Sequence, residues 1–202
     1  MRFIEKYLDD IVQIAKKIDP MAIRKAVDVI ADVKERGGRL FIIGSGGGAG
    51  HASHAVNDFR KIANIEAYTP TDNVSELTAR INDEGWDHSY SDWLKISNLN
   101  RKDGILVFSV GGGNIEFGLS VNLVEAMKLA KSAGASIIGV VGRDGGETAK
   151  LGDAPIIVPE VNKDLTTALV ESYQAVIWHL IVSHPKLYAT TMKWESVDQN
   201  RR

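Results

Sequence analysis

The sequence predicts an α/β protein built on a parallel sheet. Short apolar runs rich in β-branched residues alternate with amphipathic helical stretches. The two strongest runs, Leu40-Phe41-Ile42-Ile43 and Ile105-Leu106-Val107-Phe108-Ser109-Val110, both stop at glycine clusters. Runs that are apolar throughout read as strands buried on both faces, and their alternation with helices implies right-handed crossovers. At 202 residues the chain fits one domain, 1–202.

The elements follow in order. Phe3–Ile18 carries Phe3, Ile4, Tyr7, Leu8, Ile11, Ile14 and Ala15 at helical spacing, and Asp19-Pro20 breaks it. Met21–Glu35 is a second amphipathic helix, closed by Gly37-Gly38. These two helices (1–37) cap the sheet or meet a second subunit, and the subunit is the expectation. After the first strand and its helix, Ile65–Thr69 is a short strand and Asn73–Ile81 a short helix. Asn82-Asp83-Glu84-Gly85-Trp86 reads as a polar loop and Ser89–Asn98 as a helix. The second strong strand leads through Gly111-Gly112-Gly113 to a helix over Ile115–Ala133, with Asn114 as its cap. Ser136–Val141 and Pro155–Val158 are strands, separated by a helix at Glu147–Leu151. Asp164–Ser183 is a long helix and 184–202 a mixed tail.

Composition removes several functions. There is no cysteine, so disulfides, thiolate nucleophiles and cysteine-held metals are excluded. A net charge of −2 carries no electrostatic footprint for nucleic acid. No run of about 18 apolar residues appears, and the opening MRFIEKYLDDI is too charged for a secretory leader. No membrane partner is expected, and the expected location is the cytoplasm.

The chain is organised around Gly44-Ser45-Gly46-Gly47-Gly48-Ala49-Gly50, a strand-to-helix turn. Glycines let the backbone approach a ligand, and the helix that follows begins with unpaired N–H groups at a positive dipole end, which suits a phosphate. Gly44, Gly46 and Ala49 meet the dinucleotide fingerprint, with Glu66 near the place of a ribose-binding acid. In so glycine-rich a run that match is easily met by chance, and Glu66 sits inside a strand, not at its end; no nucleotide cofactor is expected. A second glycine loop after the next strong strand points instead to two loops lining one crevice. His51, His54 and Asp58 share one face of the helix that follows the first turn, placed for acid–base work or metal binding.

Five motifs in order carry a resemblance: G-S-G-G-G at 44–48, H-A-V-N-D at 54–58, N-D-E-G at 82–85, S-V-G-G-G-N at 109–114 and G-R-D-G-G at 142–146. The chain resembles sugar isomerase (SIS) domains, most closely the phosphoheptose isomerases, from about Ile4 to Val182. That resemblance implies a three-layer αβα sandwich on a five-stranded, flavodoxin-like parallel sheet, assembled as a homodimer or homotetramer. It implies aldose–ketose isomerisation of a sugar phosphate such as sedoheptulose 7-phosphate; one relative instead binds a replication-initiation protein, which leaves a non-catalytic adaptor as the rival. Ser45, Gly46, Gly47, Gly48, Ser109, Gly111, Gly112 and Asn114 would hold the phosphate, and Asn82 and Asp83 the sugar hydroxyls. The departures lie in the loops. Val110, Gly111 and Asn114 stand where such domains carry hydroxyl residues, and Gly48 stands where they carry a serine.

The resemblance also sets the catalytic positions. His54 and Asp58 match a histidine and a glutamate, so the acid here is one methylene shorter. On the final helix a glutamine and, eight residues later, a histidine are expected. Glu171 and His179 have that spacing; an ungapped match places Val170 and Trp178 there instead. The first register is preferred. In it Asp58 or Glu171 takes the proton alpha to the carbonyl and His179 returns it. His54, Asp58, Glu171 and His179 then form a two-His, two-carboxylate set suited to zinc.

Overall fold

The computed structural model describes residues 2–199. Five parallel strands form one sheet in the order β2-β1-β3-β4-β5. They are β1 (Leu40–Gly44), β2 (Ala67–Tyr68), β3 (Gly104–Ser109), β4 (Ser136–Val141) and β5 (Ala154–Ile157). The helices are α1 (Arg2–Lys17), α2 (Pro20–Glu35), α3 (Gly47–Lys61), α4 (Val74–Glu84), α5 (Ser89–Ile96), α6 (Val121–Ala133), α7 (Gly146–Leu151), α8 (Thr166–Val182) and α9 (Lys193–Gln199).

The period-2 pleat explains the three layers. Leu40 and Ile42 of β1, with Leu106 and Phe108 of β3, pack against α2, α3 and α8. Phe41, Ile43, Ile105 and Val107 point the other way, onto α5 and α6. Every residue of β1 and β3 is therefore buried, which is why both runs lack alternation.

The strand order reverses direction between β1 and β3, where ligands of open parallel sheets bind. In that pair Gly44 lies opposite Phe108, so the two glycine loops leave the sheet side by side. Tyr90 pins the end of β1 by donating its hydroxyl to the Gly44 carbonyl at 2.7 Å. Burial pushes that phenol up to about 12, so it stays a donor.

The N-terminal helices divide their roles. Asp19 caps α2 by accepting the Met21 N–H at 2.8 Å, and Pro20 fits the first turn. Ile23, Ala26, Val27, Ile30 and Val33 of α2 are buried, so this helix covers the sheet. On α1, Ile14 is buried, whereas Ile4, Leu8 and Val12 are exposed. The Tyr173 hydroxyl donates to the Ile11 carbonyl and ties α1 to α8. By length and composition the stretch Lys163–Val182 could cross a membrane, but half of it is buried in the core, where Trp178, Ile177 and Ile181 are all but inaccessible.

Three local expectations are corrected. The 82–85 stretch is not a loop: α4 runs to Glu84, so Asn82 and Asp83 sit on its last turn and Asn82 donates to Asp83 at 2.7 Å. Helix α6 starts at Val121, not Ile115. Residues 114–119 form a small hairpin instead, closed by reciprocal backbone hydrogen bonds of 2.8 Å between Asn114 and Leu119. Asn114 caps this hairpin, not the helix: its Oδ1 accepts the Phe117 N–H at 3.0 Å. The tail contains α9, whose Trp194 is exposed.

Candidate active site

The first glycine turn is built by close approaches. Gly46 precedes α3 as its N-cap at φ +58, a left-handed conformation that glycine adopts without strain. A Cβ on Gly48 would stand 2.6 Å from the Phe108 carbonyl oxygen, and the Gly48 N–H donates to the Ser45 carbonyl at 3.1 Å. Gly48 thus packs α3 onto β3 and offers nothing to a ligand, which corrects its assignment as a phosphate contact. The same contact explains why no serine stands there.

Gly47 has a different neighbour. A Cβ there would lie 2.6 Å from the carboxylate carbon and both carboxylate oxygens of Glu171. The chain's own acid therefore faces the N-terminal end of α3, where the positive end of the helix dipole favours it. This overturns the simplest reading of the turn as a phosphate seat: its anion is already present. His51 lies one turn on, beside Glu171 and 5.0 Å from the Trp178 ring. Burial pushes the His51 imidazole below its ordinary value of 6.5, against the opposing pull of Glu171.

The second glycine loop lines a cavity of about 640 Å³ at the ends of β1, β3 and β4. Ser45, Ser109, Gly111 and Asn114 face it from the two loops, Phe117 and Leu119 from the hairpin, and Arg143 from the turn after β4. The two loops therefore do share a crevice. Gly112 does not line it: its N–H donates to Ser109 Oγ at 3.1 Å, and a Cβ on it would meet the Gly145 carbonyl at 1.9 Å. It shapes the loop and is removed from the contact set. Because Ser109 Oγ accepts that bond, its own hydroxyl proton is left to donate to a ligand. Nothing brings Asn82 or Asp83 to this cavity.

A second cluster lies on α3 and α8. Asp58 is buried at 4% exposure, and its Oδ2 lies 3.5 Å from His54 Nε2 and 3.3 Å from His179 Nε2. The indole Nε1 of Trp178 donates to the same oxygen at 3.1 Å, while Asn57 Nδ2 donates to Oδ1 at 3.0 Å. The two rival registers of α8 thus both reach Asp58: Trp178 from inside the core and His179 from the surface. Val170 instead packs under Gly142, where a Cβ would meet its Cγ2 at 2.4 Å. Glu171 is two helical turns from His179, about 12 Å along the axis, and does not join the cluster. The four-ligand set is reduced to three: His54, Asp58 and His179.

The cluster's donor atoms lie close enough together to hold one cation. His179 Nδ1 lies 2.8 Å from the Ala175 carbonyl, which can only accept, so Nδ1 carries a proton and Nε2 is the ring nitrogen that faces the carboxylate oxygen. At 3.3 Å a proton or a metal ion can bridge this nitrogen and the carboxylate oxygen. The two N···O distances are longer than good hydrogen bonds but match the edge of a zinc tetrahedron, roughly 3.3 Å for bonds near 2.0–2.1 Å. The donors are two imidazoles and one carboxylate, a common catalytic zinc set.

The cluster and the cavity are neighbours, not one space. Phe108 lines the cavity and packs at a tilt on Trp178 at 5.6 Å and edge-on against His51 at 6.3 Å, so an aromatic wall lies between them. His54 and His179 are about half exposed, with side-chain values of 56% and 49%.

Comparison with known proteins gives this arrangement its context. The SIS domain family profile matches residues 6–142. The chain belongs to the SIS domain family. It is 30% identical over 165 residues to the phosphoheptose isomerase of Rhodospirillum rubrum, covering 79% of this chain and 82% of that one. It is also 30% identical over 192 residues to the lincomycin biosynthesis protein LmbN of Streptomyces lincolnensis, covering 90% of this chain and 68% of the relative. The phosphoheptose isomerase GmhA of Neisseria gonorrhoeae superposes with a TM-score of 0.75 at 24% identity, over 90% of this chain and 95% of the other. Within the SIS family the chain stands on the isomerase branch.

Two contributors escaped the sequence reading. Asn122 of α6 is fully buried and holds Ser45: its Nδ2 donates to Ser45 Oγ at 3.2 Å. An asparagine inside an otherwise apolar helix face was the available signal. Trp178 as the partner of Asp58 carried no local signal, because the two are 120 residues apart.

Proposed function

We propose that this protein is a sugar-phosphate isomerase, interconverting an aldose and a ketose through an enediol, with sedoheptulose 7-phosphate as the reference substrate. The observation that carries the reading is the meeting of two imidazoles on one buried carboxylate beside a crevice built from two glycine loops. A base removes the proton alpha to the carbonyl, the enediol forms, and a proton is returned to the neighbouring carbon. Glu171, with His51 beside it at the α3 N-terminus, supplies the proton-accepting carboxylate, and His179 handles the proton exchanged with the substrate oxygens. Positioned acid–base groups of this kind contribute on the order of 10²–10⁴-fold.

His54, Asp58 and His179 would hold a divalent ion, for which zinc fits best. When bound, it would polarise the carbonyl and stabilise developing oxyanion charge. The exposed apolar residues Ile4, Leu8 and Val12 of α1, and Val176 and Leu180 beside His179 on α8, are assigned to contacts with a second copy of the chain. Light scattering of the purified protein tests that assignment, and a monomer at micromolar concentration would overturn it.

The deciding experiment is turnover of sedoheptulose 7-phosphate by the purified protein, with H179A and D58N alongside. Both variants are expected to lose at least 100-fold in kcat/KM. Wild-type turnover with H179A unaffected would remove the assignment. A non-catalytic sugar-phosphate sensor is the second reading, and the aromatic wall between cluster and cavity favours it. Sugar-phosphate binding without turnover would select it.

A further inference from the structure

The turn expected to seat the substrate's phosphate is met by Glu171, and the second loop carries Val110 and Gly111 without hydroxyls. The anionic end of a ligand therefore needs another partner. Three charged side chains line the cavity: Arg143, Asp144 and Glu160. Each acid has one oxygen occupied by a bond within the protein. Asp144 Oδ1 accepts the Gly146 N–H at 3.1 Å, and Glu160 Oε1 accepts the Thr166 hydroxyl at 2.9 Å. Arg143 makes no hydrogen bond or ion pair to any of the described residues and is exposed.

Its placement is specific. Arg143 sits in the turn after β4 at φ +53, a left-handed backbone that side-chain-bearing residues seldom adopt. That conformation lays its stem across Gly111. A Cβ built on Gly111 would lie 3.8 Å from Arg143 Cδ, with nothing else within 4 Å. The guanidinium is thus carried over the part of the second loop that lacks side chains. On the hairpin side of the cavity, Phe117 and Leu119 form an apolar wall with no cation of its own.

We propose that Arg143 is the charged anchor for the phosphate of the substrate, gripping it above Gly111 in place of loop hydroxyls. The proposal rests on the sugar-phosphate reading of the site. A planar guanidinium grips two phosphate oxygens at once, which a lysine or a hydroxyl does not. Ser109, whose hydroxyl proton is available, and the Asn114 amide nitrogen complete the cradle. Charge then fixes one end of an extended sugar, and the reacting end is directed toward Ser45 and the first loop. Specificity follows: a phosphorylated sugar is held more tightly than the same sugar without phosphate, and Arg143 makes the difference.

The test compares wild type with R143N, R143K and the double variant R143N/G111S. Asparagine tolerates the left-handed backbone, so folding is preserved, and matching thermal melts verify it. Titration calorimetry is run with sedoheptulose 7-phosphate, inorganic phosphate and unphosphorylated sedoheptulose. R143N is expected to bind both phosphate ligands on the order of 10- to 100-fold more weakly and to leave the unphosphorylated sugar unchanged. R143K recovers part of the loss, because it keeps the charge and loses the fork. G111S, which fits the open space over the loop, recovers part by supplying a hydroxyl. In kinetics, KM rises by more than kcat falls. Unchanged phosphate affinity in R143N overturns the proposal while leaving the isomerase reading intact. A wild-type protein that binds no sugar phosphate overturns that reading and the proposal together.

Discussion

Replacing Trp178 with phenylalanine separates structure from chemistry at Asp58. The indole Nε1 is a donor to a carboxylate oxygen that is otherwise faced only by two half-exposed imidazoles. W178F removes that bond from a side chain that is 1% exposed. A hydrogen bond to a charged group contributes about 1.5–3 kcal/mol, and the lost ring atoms leave a space worth about a further 1–2 kcal/mol. A total of about 2.5–5 kcal/mol lowers the melting point of a domain this size by roughly 5–20 °C. The assay is a thermal melt in chelator, repeated with zinc. H179A is the control: its half-exposed ring contributes little to stability, so its metal-free melt is expected to stay within about 2 °C of wild type, while its zinc-induced shift disappears. A W178F protein that melts with wild type would refute the reasoning, because Asp58 would then be held by something else.

Other outcomes follow from single contacts. G48S forces a side chain toward the Phe108 carbonyl and is expected to cost about 1–3 kcal/mol in urea unfolding without improving phosphate affinity; a stable variant with tighter binding would contradict the packing role of Gly48. His51 is held below 6.5 by burial, so the folded state binds fewer protons there than the unfolded chain. Its contribution is therefore intact above pH 6.5 and is lost as pH falls through the folded value; H51N is expected to flatten that acid-side slope in melts taken between pH 5 and 7. Asp103, 1% exposed, accepts from the Arg39 guanidinium at 2.8 Å and from the Asn100 N–H at 3.0 Å, so D103N is expected to cost about 3–5 kcal/mol in chemical denaturation. A loss under 1 kcal/mol would show that this buried pair contributes no net stability.

The centre of the sheet was legible because Leu40–Ile43 and Ile105–Phe108 are continuous apolar runs bounded by glycine or a charged turn. Ile105–Phe108 needs no partner to be recognised, since only a strand covered on both faces is apolar at every position. The pairing of the two glycine loops was legible for the same reason, as both follow such strands. The 110–120 segment was not. Its hairpin depends on reciprocal bonds between Asn114 and Leu119 and on Ser120 at φ +52, and none of these has a helical-period signature to oppose the pattern that begins at Ile115. At the site, His54 and Asp58 could be paired from their spacing on one helix. The match of His179 to Asp58 needed the tertiary structure, because one residue of slip on α8 exchanges His179 for Trp178. Both residues reach the same carboxylate oxygen, Asp58 Oδ2.

The hairpin between β3 and α6 is closed on itself by two backbone bonds and buries little of its own surface, with Ile115, Phe117 and Leu119 all exposed. A segment joined to its scaffold so lightly is free to vary in length and composition without disturbing the sheet beneath. It behaves as an interchangeable part: trading it for another loop would reshape the rim of the crevice while the carboxylate, the imidazoles and the arginine keep their places. Selection on this protein for a longer or bulkier sugar has an inexpensive route, and it runs through residues 115–118, between the two bridge positions.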